Sequence, residues 1–531
     1  MLKRTSRVQK VRLLIAFALI IVSLPLSRSQ AAAGDLDPIF GNGGIVITSF
    51  PGNAGASEVV IQPDGKIVAA GRSSVGFALA RYLANGQLDP SFGTGGKVTT
   101  QFPGLLIGAD ALALQSDGKI VAAGLAANTF TGGLDFALAR YNTDGSLDTS
   151  FGNGGVVITD FFGGFAGVAA LAIQADGKIV AAGQTSRIND GTTQDFAIAR
   201  YNPDGSLDTT FGVGGKVTTD FFGLGDVARA IGIQPNGNIV VAGAAVFDSQ
   251  HATIALAQYL PSGALDPSFG NGGKVTTLFG DSNEAVALAL QPDGKIVVAG
   301  FDNSGINLNF AVVRYTSSGL LDSMFGNGGL ATVDFFGGFA AAEAVALRPD
   351  GKIVVGGTDF NGAAFEFGLA QLTASGSLDT TFGAGGKVTT SISQNQDIIR
   401  DLAIQPDGKI VVAGISVQPG SEFFALARYG DSQVIFDFCL QQDGNGNLLQ
   451  FNSATGDYLF TNCSGVSISG TGSVVRKGGV ITLQHNAADR RVLARFITNA
   501  NKATATVQLL SAGTTYTISD RDTTNNTCTC E

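Results

Sequence analysis

Short apolar runs alternate along this chain with clusters of glycine, proline and aspartate, and four such runs make up one unit. In a representative unit the runs occupy residues 274–277, 285–290, 295–300 and 310–315. Runs of this length that are rich in valine, isoleucine, leucine and alanine, and that are bounded by turn residues, are typical of β-strands. An Asp-Gly pair between the second and third runs indicates a tight hairpin, because that turn needs residues that tolerate positive φ. The pattern predicts four antiparallel strands per unit.

The hairpin phrase, close to Gln-Pro-Asp-Gly-Lys-Ile-Val, recurs seven times at intervals of 53 to 60 residues. Self-similarity at a near-fixed period of this size predicts a repeat architecture, in which each unit buries its apolar face on its neighbours. The central acidic or amide residues of the seven copies are Asp64, Asp117, Asp176, Asn236, Asp293, Asp350 and Asp407.

Two further signatures repeat with the same period. A strand phrase close to Phe-Ala-Leu-Ala-Arg-Tyr ends each unit, and Leu-Asp-x-x-Phe-Gly accompanies each link between units, so seven complete units fill residues 34–430. This content predicts an all-β fold, a seven-bladed β-propeller with four-stranded antiparallel blades, whose radial closure removes exposed sheet edges. An open solenoid is the alternative. The sequence leaves open whether the first run of a unit belongs to its own blade or to the preceding one.

Together these phrases resemble the delta-60 repeat of secreted bacterial proteins, a family of β-propellers. The resemblance covers about 400 residues, with three motifs in each unit. It implies the propeller fold, and it implies no particular activity, cofactor or ligand.

The first 33 residues predict a signal peptide. Five basic residues among the first twelve precede an apolar run at residues 13–26, and small residues follow at 31–33. This is the order of an export signal. A membrane anchor is the alternative, although the apolar run is short for a span of roughly 20 residues. We expect a secreted or periplasmic protein, without membrane insertion once the signal is cleaved.

The charge balance changes the set of expected partners. The chain has 33 basic and 43 acidic residues, and removal of residues 1–33 leaves a formal net charge of −16. Such a surface repels phosphate backbones, so we expect no nucleic-acid partner.

The repeat ends at Tyr429, and residues 431–531 predict a separate, small β-sandwich-like domain. All four cysteines of the chain lie in this domain, and in an exported protein an even count predicts disulfide bonds. A bridge between the two C-terminal cysteines would close a strained loop, so we expect each to pair with one of the other two. A zinc site of four thiolates is the alternative. The cysteines are Cys439, Cys463, Cys528 and Cys530.

The strand order also predicts which face of the propeller varies. The one-to-two and three-to-four connections leave one end of each blade and differ between units, whereas the connections at the opposite end are nearly constant. Variation confined to one face marks the usual binding face, and unconstrained surface is the alternative. Aromatic residues in these loops suit contact with a sugar or a protein, although buried loop anchors would explain them as well. The candidate ligand-binding residues are Phe130, Phe247, Phe301 and Phe360.

Residues that carry chemistry are sparse. The two histidines, His251 and His485, lie in different predicted domains, so neither a metal site nor a serine triad is evident, and we expect no cofactor. A catalytic residue should occur once, so the repeated aspartates of Leu-Asp-x-x-Phe-Gly are interpreted as turn formers, with calcium binding as the alternative. The arginine of the fourth strand is interpreted as a hydrogen-bonding residue that pairs with a neighbouring aspartate.

Three acids, Asp110, Glu284 and Glu343, do not repeat. A hydrolase or lyase acting on extracellular polymers would need them to converge at the mouth of the propeller channel. The preferred hypothesis is a non-enzymatic binding or scaffold protein that contacts a glycan, or an envelope or extracellular protein, through the variable-loop face. A purely structural surface protein is the third hypothesis.

Overall fold

The computed structural model describes residues 33–430, except residues 102–105, 128–132, 188–192, 304–307 and 394, together with the backbone of eight strands beyond residue 430. Every regular element in the described part is a β-strand. None of the described residues form a helix long and apolar enough to cross a membrane. The predicted signal peptide lies outside the described residues as far as residue 32.

Seven four-stranded antiparallel blades form the described repeat region, and single parallel bridges join blade two to blade three (Leu134 to Phe165) and blade six to blade seven (Phe365 to Gln396). Blades one to three consist of β2 (Ala54–Ile61), β3 (Ile67–Ser73), β4 (Gly76–Tyr82) and β5 (Lys97–Thr100); of β6 (Leu106–Leu114), β7 (Ile120–Ala127), β8 (Leu134–Tyr141) and β9 (Val156–Thr159); and of β10 (Gly163–Ile173), β11 (Ile179–Arg187), β12 (Gln194–Tyr201) and β13 (Lys216–Thr219). Blades four to six consist of β14 (Asp226–Ile233), β15 (Ile239–Val246), β16 (Ala252–Tyr259) and β17 (Lys274–Thr277); of β18 (Ser282–Leu290), β19 (Ile296–Asn303), β20 (Leu308–Tyr315) and β21 (Leu330–Val333); and of β22 (Ala340–Leu347), β23 (Ile353–Phe360), β24 (Phe365–Leu372) and β25 (Lys387–Thr390). Blade seven consists of β26 (Gln396–Ile404), β27 (Ile410–Gln418), β28 (Ser421–Tyr429) and β1 (Ile45–Thr48).

The first strand of the chain completes the last blade. β1 pairs antiparallel with β28, with Ile45 opposite Ala427 and Thr48 opposite Phe424. The short outer strand of each sequence unit therefore belongs to the preceding blade, which decides the phasing that the sequence left open. Residues of blades one and seven also share a hydrophobic cluster. The array closes as a ring, so the open-solenoid alternative is wrong.

Alternating side chains of the strands build the core between the blades. One hydrophobic cluster lies between each pair of neighbouring sheets in the described ring. In β12, Phe196 and Ile198 pack towards blade four, whereas Ala197 and Ala199 pack towards blade two. Successive residues of a strand face opposite sides, so each large residue of one blade meets the small residues of the next. The alternation of large and small residues in the sequence sets this close approach.

The buried arginine of the repeated Phe-Ala-Leu-Ala-Arg-Tyr phrase contacts an aspartate and a phenylalanine of its own blade and a backbone carbonyl of the next blade. In blade three, Arg200 Nε donates to Asp208 Oδ2 at 2.8 Å, and Arg200 Nη1 donates to the backbone carbonyl of Pro261, which precedes the link to the next blade, at 2.6 Å. The guanidinium lies 4.5 Å from the ring centroid of Phe211, a favourable cation–π geometry. The other oxygen of Asp208 accepts the backbone N–H of Thr210. The predicted arginine–aspartate pairing and the turn role of the aspartate are both confirmed.

Two blades have glutamine in place of the arginine and keep hydrogen-bond donors to the aspartate. In blade four, Gln258 Nε2 and Asn238 Nδ2 each donate to Asp266 Oδ2 at 2.9 Å. In blade six, Gln371 donates to the matching aspartate and also accepts a hydrogen bond from Arg348 Nε at 2.7 Å, so that a guanidinium is again present at the node. The joint loss of lysine and arginine in blade four therefore leaves the carboxylate hydrogen-bonded through neutral amides.

A tyrosine–threonine hydrogen bond links consecutive blades at five of the seven junctions of the described ring. Tyr201 in blade three is fully buried, and its hydroxyl donates to Thr159 Oγ1 of β9 in blade two at 2.9 Å. The same bond closes the ring, since Tyr82 of blade one donates to Thr48 of β1 at 2.8 Å. A buried phenol hydroxyl needs such a partner, which explains why tyrosine and threonine recur together.

Beyond the repeat, the described backbone forms two antiparallel sheets. Six strands pair in sequence order in one sheet, and two pair in the other. This agrees with a β domain, while the cysteine side chains lie outside the described side chains and their pairing stays a prediction. The strands are β29 (Phe438–Gln441), β30 (Asn447–Phe451), β31 (Asp457–Asn462), β32 (Ser467–Lys477), β33 (Val480–His485), β34 (Val492–Ile497), β35 (Ala505–Leu509) and β36 (Thr514–Ile518).

The arginine node supports a stability prediction with a control taken from the chain itself. Asp208→Ala leaves the buried guanidinium of Arg200 without its carboxylate. We expect the free energy of unfolding to fall by about 3 kcal/mol as a result. The double variant Lys178→Asn with Arg200→Gln copies blade four, and we expect a loss of only about 1 kcal/mol. Denaturant titration followed by circular dichroism measures both, since the chain has no tryptophan. A double variant less stable than Asp208→Ala would contradict the assigned role.

Candidate functional site

Each inner strand of the propeller contains a β-bulge, and the bulged position is the most variable one in the strand. The pairing of β2, β6, β10, β14, β18, β22 and β26 with the following strand skips one residue. A bulge leaves the extra residue unpaired and re-aims its side chain. All seven extra residues line one cavity in the central channel: Ser57, Asp110, Ala169, Arg229, Val286, Glu343 and Arg400.

The cavity has a volume of about 460 Å³, and its lining combines charged and apolar side chains. Inner strands begin at the variable-loop end and finish at the Asp-Gly turn, so residues before and at the bulge lie nearer the variable loops. Leu171, Ile231, Leu288 and Val345, two positions after the bulge, form apolar wall further along the channel. The four charged residues at the bulge, Asp110, Arg229, Glu343 and Arg400, are here called the charged layer. Nearer the variable loops, Arg72 of β3 adds a further guanidinium, and the equivalent residues Leu125 and Ile415 add apolar surface.

Two arginines of the charged layer are held by acids from neighbouring blades. Arg400 Nη1 lies 3.3 Å from Glu343 Oε1, and Arg229 Nε donates to Glu284 Oε1 at 2.7 Å. Both side chains keep a substantial exposed fraction, 38% for Arg400 and 44% for Arg229. Each guanidinium has five N–H donors in a fixed fork, so one carboxylate leaves donors available to a ligand.

Burial raises the pKa of two acids that line the cavity, Asp110 and Glu343. Burial raises the pKa of Asp110 to about 6, against the opposing charges of Arg72, Arg400 and Arg229. The pKa of Glu343 is also raised by burial, and Arg400 and Arg229 act against this rise. Because the same arginines act on both acids, Asp110 and Glu343 belong to one electrostatic unit.

A second carboxyl pair, Glu58 and Asp401, lies one position after the bulge in blades one and seven. Asp401 Oδ2 accepts the backbone N–H of Val59 at 2.8 Å, and Glu58 accepts the backbone N–H of Leu112, so each acid joins its blade to the next. Burial raises the pKa of Asp401 to about 7. Burial, and then the charge of Asp401, raise the pKa of Glu58. Two interacting carboxyls of this kind titrate as a pair and hold a proton near neutral pH.

The structure brings together two of the three acids that the sequence singled out. Asp110 and Glu343 both line the cavity, whereas Glu284 is bound to Arg229 and lies outside the lining residues. Glu58 and Asp401 were missed by the sequence reasoning. The signal was present, because the other five blades have alanine at this position: Ala111, Ala170, Ala230, Ala287 and Ala344.

The three predicted aromatic residues that the structure describes are not among the residues that line the cavity. Phe301 is half-buried in β19, immediately after a glycine, at the position where Arg72 of blade one lines the cavity. Phe247 is half-buried and stacks on His251 with ring centroids 6.0 Å apart. Phe360 is half-buried at the end of β23 and contacts Phe365 at 5.0 Å. Their role in binding stays a prediction.

One of the four aromatic candidates, Phe130, lies outside the described residues.

The repeated aspartates of Leu-Asp-x-x-Phe-Gly accept hydrogen bonds from arginine, lysine or amide donors within the blades. Their oxygens are thus committed to the fold, which favours the turn-forming interpretation over calcium binding at these positions.

Seven segments of the chain match a family model described as "Domain of unknown function (DUF5122) beta-propeller". These matches support a repeat β-propeller family, in agreement with the closed ring of sheets. The matched residues are 62–92, 115–151, 174–211, 234–269, 291–325, 348–382 and 405–430.

Several solved structures are similar to this chain at low identity. They include a streptogramin B lyase (14% identity, TM-score 0.40, 72% of this chain and 97% of that one covered) and a PL25 ulvan lyase (11%, 0.42, 72% and 96%). A third is an α-L-arabinofuranosidase from Fusarium graminearum (12%, 0.40, 61% and 93%). No curated protein matches the sequence. Function therefore has to be argued from the side chains of this chain.

The carboxyl pair predicts how stability depends on pH. Asp401 has a folded pKa of about 7, above the ordinary value of about 4, so the folded state binds a proton that the unfolded state releases. Its contribution to stability is complete below pH 4 and is lost as the pH rises to 7. Asp401→Asn removes this titration and keeps an acceptor for the N–H of Val59. We expect the melting temperature of the variant to fall less than that of the unchanged protein between pH 4.5 and pH 8. Equal falls would contradict the pKa assignment.

Proposed function

We propose that this protein is an exported, non-enzymatic binding protein that holds the acidic end of a glycan at the variable-loop end of its central channel. One observation carries the proposal: every inner strand places its bulged residue in the same cavity, and this residue is the most variable one of a strand whose packing positions largely repeat. Repeated residues build the blades, so a variable set of seven residues, four of them charged, that converges on one cavity calls for a different explanation. Recognition of a specific ligand supplies it.

The chemistry of the cavity suits a sugar that carries a carboxylate. Arginine binds a carboxylate through two parallel hydrogen bonds. Three guanidinium groups line the cavity, and each already pairs with one protein carboxylate and keeps further N–H donors for a ligand; they belong to Arg72, Arg229 and Arg400. Partly protonated acids such as Asp110 can both donate to and accept from hydroxyl groups. The apolar wall further along the channel can receive a sugar face. A volume of about 460 Å³ is within the ordinary range for small-molecule sites.

The remaining features extend this proposal to the surroundings of the channel. The variable loops surround the same end, and we expect Phe247 and Phe360 to contact the rest of a polymer or a protein partner. The predicted signal at residues 1–33 supports a secreted or periplasmic location, and the charge of −16 after its removal disfavours nucleic acid. In this arrangement the channel supplies specificity and the loops supply additional contact area.

Binding of short oligosaccharides that end in a uronic acid tests the proposal. Arg400→Gln removes a charged donor while keeping an amide opposite Glu343, and we expect the affinity to fall about 10- to 100-fold in calorimetric titration, because a hydrogen bond to a charged group contributes about 1.5–3 kcal/mol. The control is Arg187→Gln, since Arg187 is exposed, ends β11 and stacks on Phe162 outside the cavity lining. We expect no change for the control or for oligosaccharides with neutral ends.

Two results would argue against the channel. Equal losses in both arginine variants would indicate general electrostatics. Replacing residues 128–132 and 188–192 with Gly-Ser linkers leaves the described cavity-lining residues and the flanking strands in place. Binding that is unchanged in Arg400→Gln but abolished by this replacement would place the ligand on the loop face alone. Absence of binding to acidic and neutral glycans alike would favour a protein partner or a structural role.

A hydrolase or lyase is a second candidate, favoured by the Glu58 and Asp401 pair. Two carboxyls, one of which holds a proton near neutral pH, are the groups that glycoside hydrolysis requires. Against this, one oxygen of each acid is occupied by a backbone N–H of the next blade. If this candidate is right, an acidic polysaccharide releases new reducing ends at a rate that falls at least about 100-fold in Asp401→Asn, with binding retained. Slow release that is equal in both proteins would exclude it.

A further inference from the structure

Three aspartates from three different segments meet where blade three contacts blade four. Asp195 lies in β12, Asp220 directly follows β13, and Asp226 begins β14. One carboxylate oxygen of each lies within 4.8 Å of those of the other two. This cluster, here called the junction triad, is separate from the cavity residues and from the repeated aspartates.

Asp226 is the unusual member of the junction triad. It is fully buried, with 0% of its surface exposed. Its Oδ2 accepts the backbone N–H of Phe221 at 2.7 Å, whereas its Oδ1 is buried without a hydrogen-bond partner among the described residues. A buried carboxylate oxygen without a partner is costly, so a group that supplies positive charge at this point would stabilise the folded protein.

The surrounding charges reinforce this need. The carboxylates of Asp220 and Asp195 add negative charge within 4.8 Å of the carboxylate of Asp226. Lys274 is the nearby cation, but its Nζ donates to the backbone carbonyl of Asp220 at 3.1 Å and lies over the ring of Phe221 at 5.5 Å. The lysine therefore offsets only part of the negative charge of the triad.

The other blade junctions provide an internal comparison. At the junction of blades two and three the matching residues are Asp135, Asp160 and Ala166, so the buried acid is absent. At the junction of blades six and seven the buried acid is Asp397, whose Oδ1 is likewise buried without a partner among the described residues, but the residue after the outer strand is Ser391, which has no carboxylate. The junction triad is the one such cluster of three in the described residues. Its three aspartates occur together at a single junction, whereas the aspartate of Leu-Asp-x-x-Phe-Gly occurs in every blade.

We propose that the junction triad binds one calcium ion, with the unpartnered Oδ1 of Asp226 as the central ligand and Asp195 and Asp220 as flanking ligands. Calcium takes six to eight oxygen ligands in adaptable geometry, so three carboxylates, with water completing the shell, suit it better than the strict octahedron of magnesium. The ion would join blade three to the first strand of blade four. The predicted export makes calcium available at the millimolar concentrations at which weak extracellular sites work.

The test compares matched variants of the full chain in calcium titrations. Asp220→Asn and Asp160→Asn each change the aspartate that accepts a glycine N–H at 2.6 Å after the outer strand, but only Asp220 belongs to the triad. In calorimetry we expect one site, with a dissociation constant on the order of 10⁻⁴–10⁻³ M, in the unchanged protein and in Asp160→Asn. We expect at least a tenfold weakening in Asp220→Asn.

Thermal melting gives an independent readout. Addition of 5 mM calcium, about five to fifty times that dissociation constant, should raise the melting temperature of the unchanged protein relative to chelator. Asp226→Asn, which keeps an acceptor for the N–H of Phe221, should lose the calcium effect, and Asp397→Asn at the equivalent place should keep it. Equal calcium responses in Asp220→Asn and Asp160→Asn, or no calorimetric site in the unchanged protein, would overturn the proposal. An equal response to magnesium would overturn the choice of metal.

Discussion

The ring of sheets depends on the buried contact of an arginine with an aspartate of its own blade and a carbonyl of the next. Arg200 and its equivalents are almost fully buried, and a guanidinium in that position must be paired and hydrogen-bonded on several sides. The aspartate neutralises the charge, the carbonyl before the next link satisfies Nη1, and a phenylalanine ring covers the group. Because one partner lies in the next unit, the contact specifies both the turn within a blade and the distance between blades. The replacements in blades four and six keep the aspartate carboxylate hydrogen-bonded. The fold therefore requires hydrogen-bond donors for this buried carboxylate, and it does not require that the donor be an arginine.

Because these contacts lie outside the inner strands, the bulged position of each inner strand is free to vary. Before and after the bulge, the inner strands are rich in small residues that allow the second strands to pack closely. The bulged residue does not take part in the ladder, so its side chain is released from the packing rules that govern its neighbours. Serine, aspartate, alanine, arginine, valine and glutamate all occur there. A repeat protein can therefore change the chemistry of its channel without changing the blade, and the charged cavity is an expected outcome of that freedom.

The strands and the repeat could be predicted from the sequence because both depend on local patterns. The four apolar runs, the Asp-Gly turn and the alternation of phenylalanine and alanine each act within a few residues. The phasing could not be predicted, since both alternatives have the same order of runs and only the pairing of β1 with β28 distinguishes them.

The candidate sites were harder to predict because they depend on register and on contacts between distant segments. Asp110 and Glu343 were recognised as unrepeated acids, yet Arg229 and Arg400 gained significance only once the bulges placed them beside these acids. Glu58 and Asp401 are more than 340 residues apart in the chain and meet only across the closure of the ring. The junction triad draws its members from a third strand, a link and an inner strand, so no short motif marks it.

The pairing of β1 with β28 has a consequence for how the molecule forms. Thr48 and Phe424 face each other across more than 370 residues of intervening chain, and contacts of such long range form slowly because the loop between them must first be closed. Until β26–β28 exist, β1 has no sheet to join and blade one has no neighbour on one side. An incomplete chain therefore presents two unprotected sheet surfaces, which are templates for association with other chains. Only a chain that closes the ring protects these surfaces. A chain that has lost its last blade should therefore be bound by chaperones or degraded by proteases, and it should not persist as a six-bladed form.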